Sequence, residues 1–240
     1  MALTLFSRME GDTLDGTHDF TVGDNEWLRS SDAVFNNAAA LVYGTNGLDC
    51  PGFNDAATLV ISGGDLFDRN VGSFACIFRI PDLASGQSII TIHGTNNQDY
   101  LRLRISGTTE VGFETKKSDD SVEMVLTSGL SFAANTIYIA VCRWDITAPS
   151  RKIEVYNSSA TLLQEATSTA AWTTKQPIDL TTINMGDIGG GYGPPGSAQF
   201  KNLFVSKVYA EPLEDNLLIQ SYTAYGGGGA KGRGLLLGIG

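Results

Sequence analysis

The chain has 240 residues, 42% hydrophobic and 18% charged, with 28 glycines; that is apolar enough for a core and turn-rich enough for many short strands, which excludes global disorder. Its formal net charge of −10 excludes a nucleic-acid surface, because phosphate binding needs a basic face and the release of its counterions. No stretch approaches the ~18–20 apolar residues of a membrane-spanning helix.

The first ten residues, Met1 to Glu10, are too short an apolar start and lack the basic leader of a secretory signal, so none is expected. Further along, the dominant period is two. Leu101, Leu103 and Ile105 alternate with Arg102 and Arg104, which predicts one buried and one wet face. Val111 and Phe113 repeat the pattern between Glu110 and Glu114, and both glutamates are expected on the solvent face. Ile153 and Val155 alternate with Lys152, Glu154 and Tyr156. Phe74 to Ile80, Ile137 to Val141 and Leu203 to Val205 run apolar almost without a break, as central strands covered on both faces do. Leu101, Leu103, Ile105, Phe113, Ile139, Val141, Ile153, Val155 and Val205 are predicted to form one apolar layer between two sheets, with Trp144 in the core.

Turn signals separate these runs at Ser62–Asp65, Ser106–Gly107, Ser118–Asp120, Ser128–Gly129 and Thr147–Ser150. Roughly a dozen strands follow from this spacing, the mark of a sandwich or barrel. One short helix is predicted after Pro212, where Glu214 and Asp215 occupy the first turn, Leu213, Leu217 and Leu218 share a face, and Gly226 ends it. Residues 1–225 thus read as one domain. Residues 226–240, GGGGAKGRGLLLGIG, read as a tail that needs a neighbouring subunit to order it, with Lys231 and Arg233 meeting acidic groups and Leu235, Leu236, Leu237 and Ile239 entering an apolar groove.

Chemistry-bearing residues are few. His18 and His93 are the two histidines, too few for a His-rich metal site, and His93-Gly94-Thr95-Asn96-Asn97 reads as a polar loop after the strand 88–92. Cys50, Cys76 and Cys142 are an odd number, and the last two sit in apolar runs, so all three are expected as free thiols folded in a reducing cytoplasm. The glycine-rich stretch 187–196 has no helix behind it to present amides to a phosphate, and it reads as a long exposed loop. Tyr192 in it, with Trp172 and Tyr43, is a candidate aromatic platform for a sugar; ordinary packing is the alternative.

The order of segments resembles the laminin-G-like, concanavalin-A-like jelly rolls over about residues 3–225. The matching segments are the early strand Leu3 to Phe6 with the acidic turn Gly11 to Gly16; Ala57 to Ile61 with its Ser62-Gly63-Gly64-Asp65 turn; the long strand Ser73 to Ile80; the central strand Thr136 to Asp145 and its successor Lys152 to Tyr156; and the closing strand Ala198 to Val208 before the helix. The resemblance implies an all-β sandwich of two antiparallel sheets. It offers Asp12, Asp15 and Asp187 as calcium ligands, a hard cation that wants clustered oxygens, although loop aspartates also serve turns; no other cofactor is expected. Two positions depart from the family: Lys201 stands where many members open the last strand with aspartate, and Asn157-Ser158-Ser159 replaces an Asp-Gly.

This fold hosts lectins, glycanases, adhesion modules and viral structural proteins, so function must come from the site. Retaining glycanases of the fold carry a Glu-x-Asp-x-x-Glu run, and the chain has none, which sets glycan hydrolysis last. The expected function is that of a non-enzymatic virion protein of a tailed bacteriophage, a capsid decoration or tail-associated subunit whose lectin-like domain faces outward and whose tail contacts other subunits. The alternative is a lectin module that binds a host glycan.

Overall fold

Strand-forming, β-branched and aromatic residues are frequent in the long central strands of the computed structural model, which describes residues 3–7, 35–37, 42–44, 47–50, 56–60, 68, 70–79, 88–94, 99–105, 110–116, 123–127, 130, 132–145, 150–159, 161–169, 180, 182–186 and 198–206. In chain order the strands are β1 (Leu3–Ser7), β2 (Phe35–Asn37), β3 (Val42–Gly44), β4 (Gly47–Cys50), β5 (Ala56–Val60), β6 (Val71–Arg79), β7 (Ser88–His93) and β8 (Tyr100–Ile105). They continue with β9 (Val111–Lys116), β10 (Glu123–Thr127), β11 (Ile137–Asp145), β12 (Ser150–Asn157), β13 (Leu162–Ser168), β14 (Thr182–Gly186) and β15 (Ala198–Ser206). The predicted turns fall between these strands. The helix expected after Pro212 and the segment 226–240 lie outside the described residues.

The strands form two antiparallel sheets, the two-layer β-sandwich that the sequence predicts. One sheet runs β13-β12-β11-β6-β15-β4-β3, with β1 also paired to β15; the other runs β10-β9-β8-β7-β14-β5-β2. Strand β15 receives β4 at Ala198–Phe200 and β1 at Leu203–Ser206, so two short strands share its length.

Three rings show where the sheets meet. Phe74 of β6 contacts Phe113 of β9 edge-to-face with centroids 5.7 Å apart, and Trp144 of β11 lies 6.2 Å from Phe74 and 6.3 Å from Phe113. The buried Trp144 donates its Nε1–H to the Asp68 carbonyl at 3.0 Å, which satisfies its one polar atom. Alternation from these anchors puts Leu101, Leu103, Ile105, Phe113, Ile153 and Val155 in the layer between the sheets, all buried as predicted. Cys76 and Cys142 are buried free thiols there, and burial pushes both well above the usual thiol range. The side chains of Cys50 and Val205 lie outside the described residues; Val205 registers opposite Phe74.

Ile139 and Val141 correct the prediction. They are buried, but they register with Ile77 and Ala75 on the opposite face of the eight-stranded sheet from Phe74 and Trp144. The expectation of wet outer faces also fails in part. Arg102, Glu114 and Glu154 are buried and Arg104 is half-buried, and on both sheets the outward charges are drawn into ion clusters.

Local polar bonds finish the strand ends. Thr127 Oγ1 accepts the Val111 N–H at 3.1 Å and donates to the Val111 carbonyl at 3.0 Å, tying β10 to β9. In the turn before β11, Asn135 takes φ of 60°, a left-handed conformation that asparagine tolerates better than most residues. Tyr138 Oη accepts the Ala133 N–H at 2.8 Å across that turn.

Candidate functional site

Residues opposite one another in an antiparallel pair point to the same side, so register alone assembles a polar row on the outer face of the seven-stranded sheet. Glu114 of β9 stands opposite Arg102 of β8, Arg102 opposite Thr91 of β7, and Thr91 opposite Asn184 of β14. Lys116, Tyr100, His93 and Thr182 form a second row one step along, and Ser88 stands beside Arg104 one step the other way. The intervening residues Leu101, Leu103, Ile90, Ile92 and Ile183 are fully buried in the core.

Glu114 is the hub at one end of the row. Its Oε1 accepts from Tyr100 Oη at 2.5 Å and from Arg102 Nη2 at 2.6 Å, and its Oε2 accepts from Arg104 Nη1 at 2.9 Å. Both carboxylate oxygens are therefore engaged. The Arg102 guanidinium also sits 4.7 Å from the Tyr100 ring centroid, a cation–π contact. Burial, then the bond to Glu114, raises the Tyr100 phenol above its ordinary range, against a smaller opposing pull from Arg102 and Arg104.

His93 is the hub at the other end. It is the last residue of β7 and buried, not the start of a polar loop. Its Nδ1 lies 2.6 Å from the Gly94 carbonyl, which can only accept, so Nδ1 carries the proton and Nε2 accepts from Asn184 Nδ2 at 2.9 Å. Burial lowers the His93 pKa, against a smaller raising effect of the Gly94 bond, and the ring is neutral at pH 7. This tautomer turns Asn184 Oδ1 away from the ring. Thr91 Oγ1, Asn184 Oδ1, Ser88 Oγ and Arg104 Nε have no hydrogen-bond partner among the described residues, although all four atoms are buried.

The residues singled out from sequence are not the ones gathered here. Tyr43 lies in β3, on the other sheet, and its side chain is outside the described residues, as are Trp172, Tyr192, Asp12, Asp15, Asp187, Lys231, Arg233, Leu235, Leu236, Leu237 and Ile239. Among the described residues no three His, Cys, Asp or Glu side chains gather where a metal ion could be held, and no helix is long and apolar enough to cross a membrane. The row did have a faint signal in the sequence. The Arg-Leu-Arg of β8 and the Phe-Glu-Thr of β9 flank the turn at Ser106–Gly107, and folding that hairpin brings Arg102 to Glu114.

No family model matches the chain, and no curated protein matches it. Solved structures do. The botulinum neurotoxin serotype G binding domain superposes with a TM-score of 0.65 at 12% identity, over 92% of this chain and 51% of that one. The serotype D binding domain gives 0.64 at 10% identity, over 92% and 52%. The serotype D ligand binding domain in complex with N-acetylneuraminic acid gives 0.62 at 11% identity, over 92% and 51%. The likeness is one of fold. The chain spans about half the length of these structures, and the shared architecture is that of a two-sheet β-sandwich.

Proposed function

We propose that this domain is a non-catalytic, lectin-like recognition module that binds a glycan on the outer face of β7, β8 and β14. The observation behind it is the row Glu114–Arg102–Thr91–Asn184, in which Thr91 Oγ1 and Asn184 Oδ1 stand buried without partners among the described residues. Sugar hydroxyls donate and accept, the capacities that a threonine hydroxyl and an amide oxygen pair with, and Thr91 and Asn184 stand opposite one another in register. The shared fold supports the reading, since one solved neighbour is a ligand binding domain with N-acetylneuraminic acid. A non-catalytic role is supported by Glu114, whose two oxygens are both held by neighbours and offer neither a general acid nor a nucleophile. Trp172, Tyr192 and Tyr43 stay candidates for stacking on the sugar ring, and Asp12, Asp15 and Asp187 for calcium.

For the setting, we propose a particle-borne subunit, a capsid decoration or tail-associated protein of a tailed bacteriophage. The buried free thiols Cys76 and Cys142 favour folding in a reducing compartment, and the sequence of 226–240 suits a contact with a neighbouring subunit. Deleting 226–240 then leaves a folded domain that no longer assembles; normal incorporation of the truncated protein removes the tail's role.

A glycan array tests the recognition reading. The full chain is expected to label a defined set of glycans, and Asn184→Leu to lose them while keeping its fold. An array on which the full chain labels nothing overturns the reading.

A further inference from the structure

From the edge of the eight-stranded sheet we infer that residues 231–239 of a neighbouring copy add to β13 as an antiparallel strand. The inference rests on the reading above that 226–240 contacts a neighbouring subunit, and it names where that contact falls. β13 ends its sheet, with β12 on one side and no described strand on the other. β2, β3 and β10, which end the sheets elsewhere, have three, three and five residues. β13 has seven, Leu-Leu-Gln-Glu-Ala-Thr-Ser, with neither the proline nor the lysine that commonly blunts an edge. Its hairpin with β12 is closed by Asn157, whose Oδ1 accepts the Ser159 and Thr161 N–H groups, each at 2.9 Å. Gln164, Ala166 and Ser168 turn toward the sandwich and are half-buried; Glu165 and Thr167 turn outward and are exposed. The register with β12 slips beside Leu163, and Leu162 and Leu163 are both exposed, at 44% and 38%. The edge thus offers, in accessible groups, an apolar end followed by a carboxylate.

The sequence of the tail has the complementary order. In 231–239, KGRGLLLGI, the residues Lys231, Arg233, Leu235, Leu237 and Ile239 alternate with Gly232, Gly234, Leu236 and Gly238. Extended as a strand, such a segment carries two cations and three apolar side chains on one face and nearly bare backbone on the other. Direction follows from the order of these groups. β13 runs from leucine to glutamate and the tail from cation to leucine, so the antiparallel pairing alone matches both. With Arg233 opposite Glu165, Lys231 falls opposite Thr167 and Leu235 comes to Leu163. A parallel pairing through the same two residues would set Lys231 against Leu163 and Leu235 against Thr167. Glu165 keeps 52% of its side-chain exposure beside Lys152, which leaves accessible carboxylate for a second cation. The same carboxylate disfavours a second β13 at this edge, since like charges on adjoining strands repel. Main-chain bonds supply the affinity of an added strand and side chains its choice of partner. Tail and edge are different patches, so copies would join head to tail.

Sedimentation velocity of the full chain over a range of concentrations is the test, and the wild type is expected to self-associate. Glu165→Arg and Arg233→Glu should each weaken association about fivefold or more, because each turns an attraction between exposed charges into a repulsion. The double variant Glu165→Arg/Arg233→Glu should recover it. Thermal midpoints equal to that of the wild type show that the variants still fold. Loss without recovery in the double variant overturns the pairing. Association that survives both reversals but not deletion of 226–240 overturns β13 as the seat and spares the tail's role. Association that survives the deletion, or a monomer at every concentration, overturns both. Oxidative mixing of Glu165→Cys chains with Arg233→Cys chains is expected to give a linked heterodimer. A link formed only within the Glu165→Cys/Arg233→Cys chain puts the tail on its own β13 and overturns the neighbouring copy.

Discussion

Glu154 on the eight-stranded sheet and Glu114 on the seven-stranded sheet hold equivalent posts: each is buried on the outer face of its sheet and each joins two cations, Arg143 of β11 and Lys152 of its own strand for Glu154, Arg102 and Arg104 of β8 for Glu114. Around Glu154 the charges are matched. Arg143 lies 2.5 Å and Lys152 2.6 Å from its oxygens, Tyr156 donates to it at 3.2 Å, and Lys152 reaches a second carboxylate, Glu165, at 3.0 Å. Burial alone would lower the Lys152 pKa, but its bonds to Glu154 and Glu165 outweigh that and raise it, as expected of a satisfied pair. Around Glu114 one carboxylate serves two arginines, and the strands beside it present Thr91, Asn184 and Ser88 with unmet polar atoms. A matched cluster fastens strands together. The unmet atoms of the seven-stranded sheet include the hydroxyls of Ser88 and Thr91 and the amide oxygen of Asn184, whereas Arg79 Nε on the eight-stranded sheet is a guanidinium donor, and that difference in kind is why recognition is proposed on one sheet and not the other.

The largest effect should appear in both clusters alike. Glu154→Ala and Glu114→Ala each strand a buried arginine, so each should cost about 3–5 kcal/mol of unfolding free energy in urea. A near-neutral result for either would mean that its ion pairs are not held in a buried setting.

A smaller effect separates structure from function. Thr127→Val removes a hydroxyl that both donates to and accepts from Val111, and it should destabilise by about 1–3 kcal/mol. Thr91→Val removes a hydroxyl that makes no such bond, and it should stabilise by roughly 1 kcal/mol. Opposite signs from the same chemical change would sharpen the contrast between the bonded and the ligand-ready positions. Two losses of equal size would erase it.

Smallest is the effect of pH. His93 has a folded pKa below its unfolded value, so the unfolded chain takes up the proton first as pH falls. The stability tied to the neutral ring is complete above the ordinary histidine range and is lost as pH drops through it toward the folded value. Denaturation midpoints at pH 7.5 and 5.5 should therefore fall further for the wild type than for His93→Gln, and parallel falls would remove His93 as the cause.

The sequence made some of this legible and hid the rest for physical reasons. Leu101, Leu103, Ile105 and Phe113 were readable because alternation with charged residues gives a strand its phase. Ile139 and Val141 were misassigned because a strand apolar on both faces has no phase to read, and only Trp144 and Phe74 reveal which side meets the other sheet. Arg102 and Glu114 were misjudged as wet because period two says which residues share a face, not whether that face is covered. The bond between His93 and Asn184 spans 91 residues, and no local pattern announces a partner so far along the chain.

The central claim is that the outer face of β7, β8 and β14 binds a glycan through Thr91 and Asn184. Titrating wild type and Thr91→Val side by side with a glycan that the full chain binds tests it most directly, because the variant should be the more stable protein. The account predicts that Thr91→Val gains thermal stability and loses at least tenfold in affinity, one lost hydrogen bond being worth about that much. Unchanged affinity in the stabilised variant would contradict it.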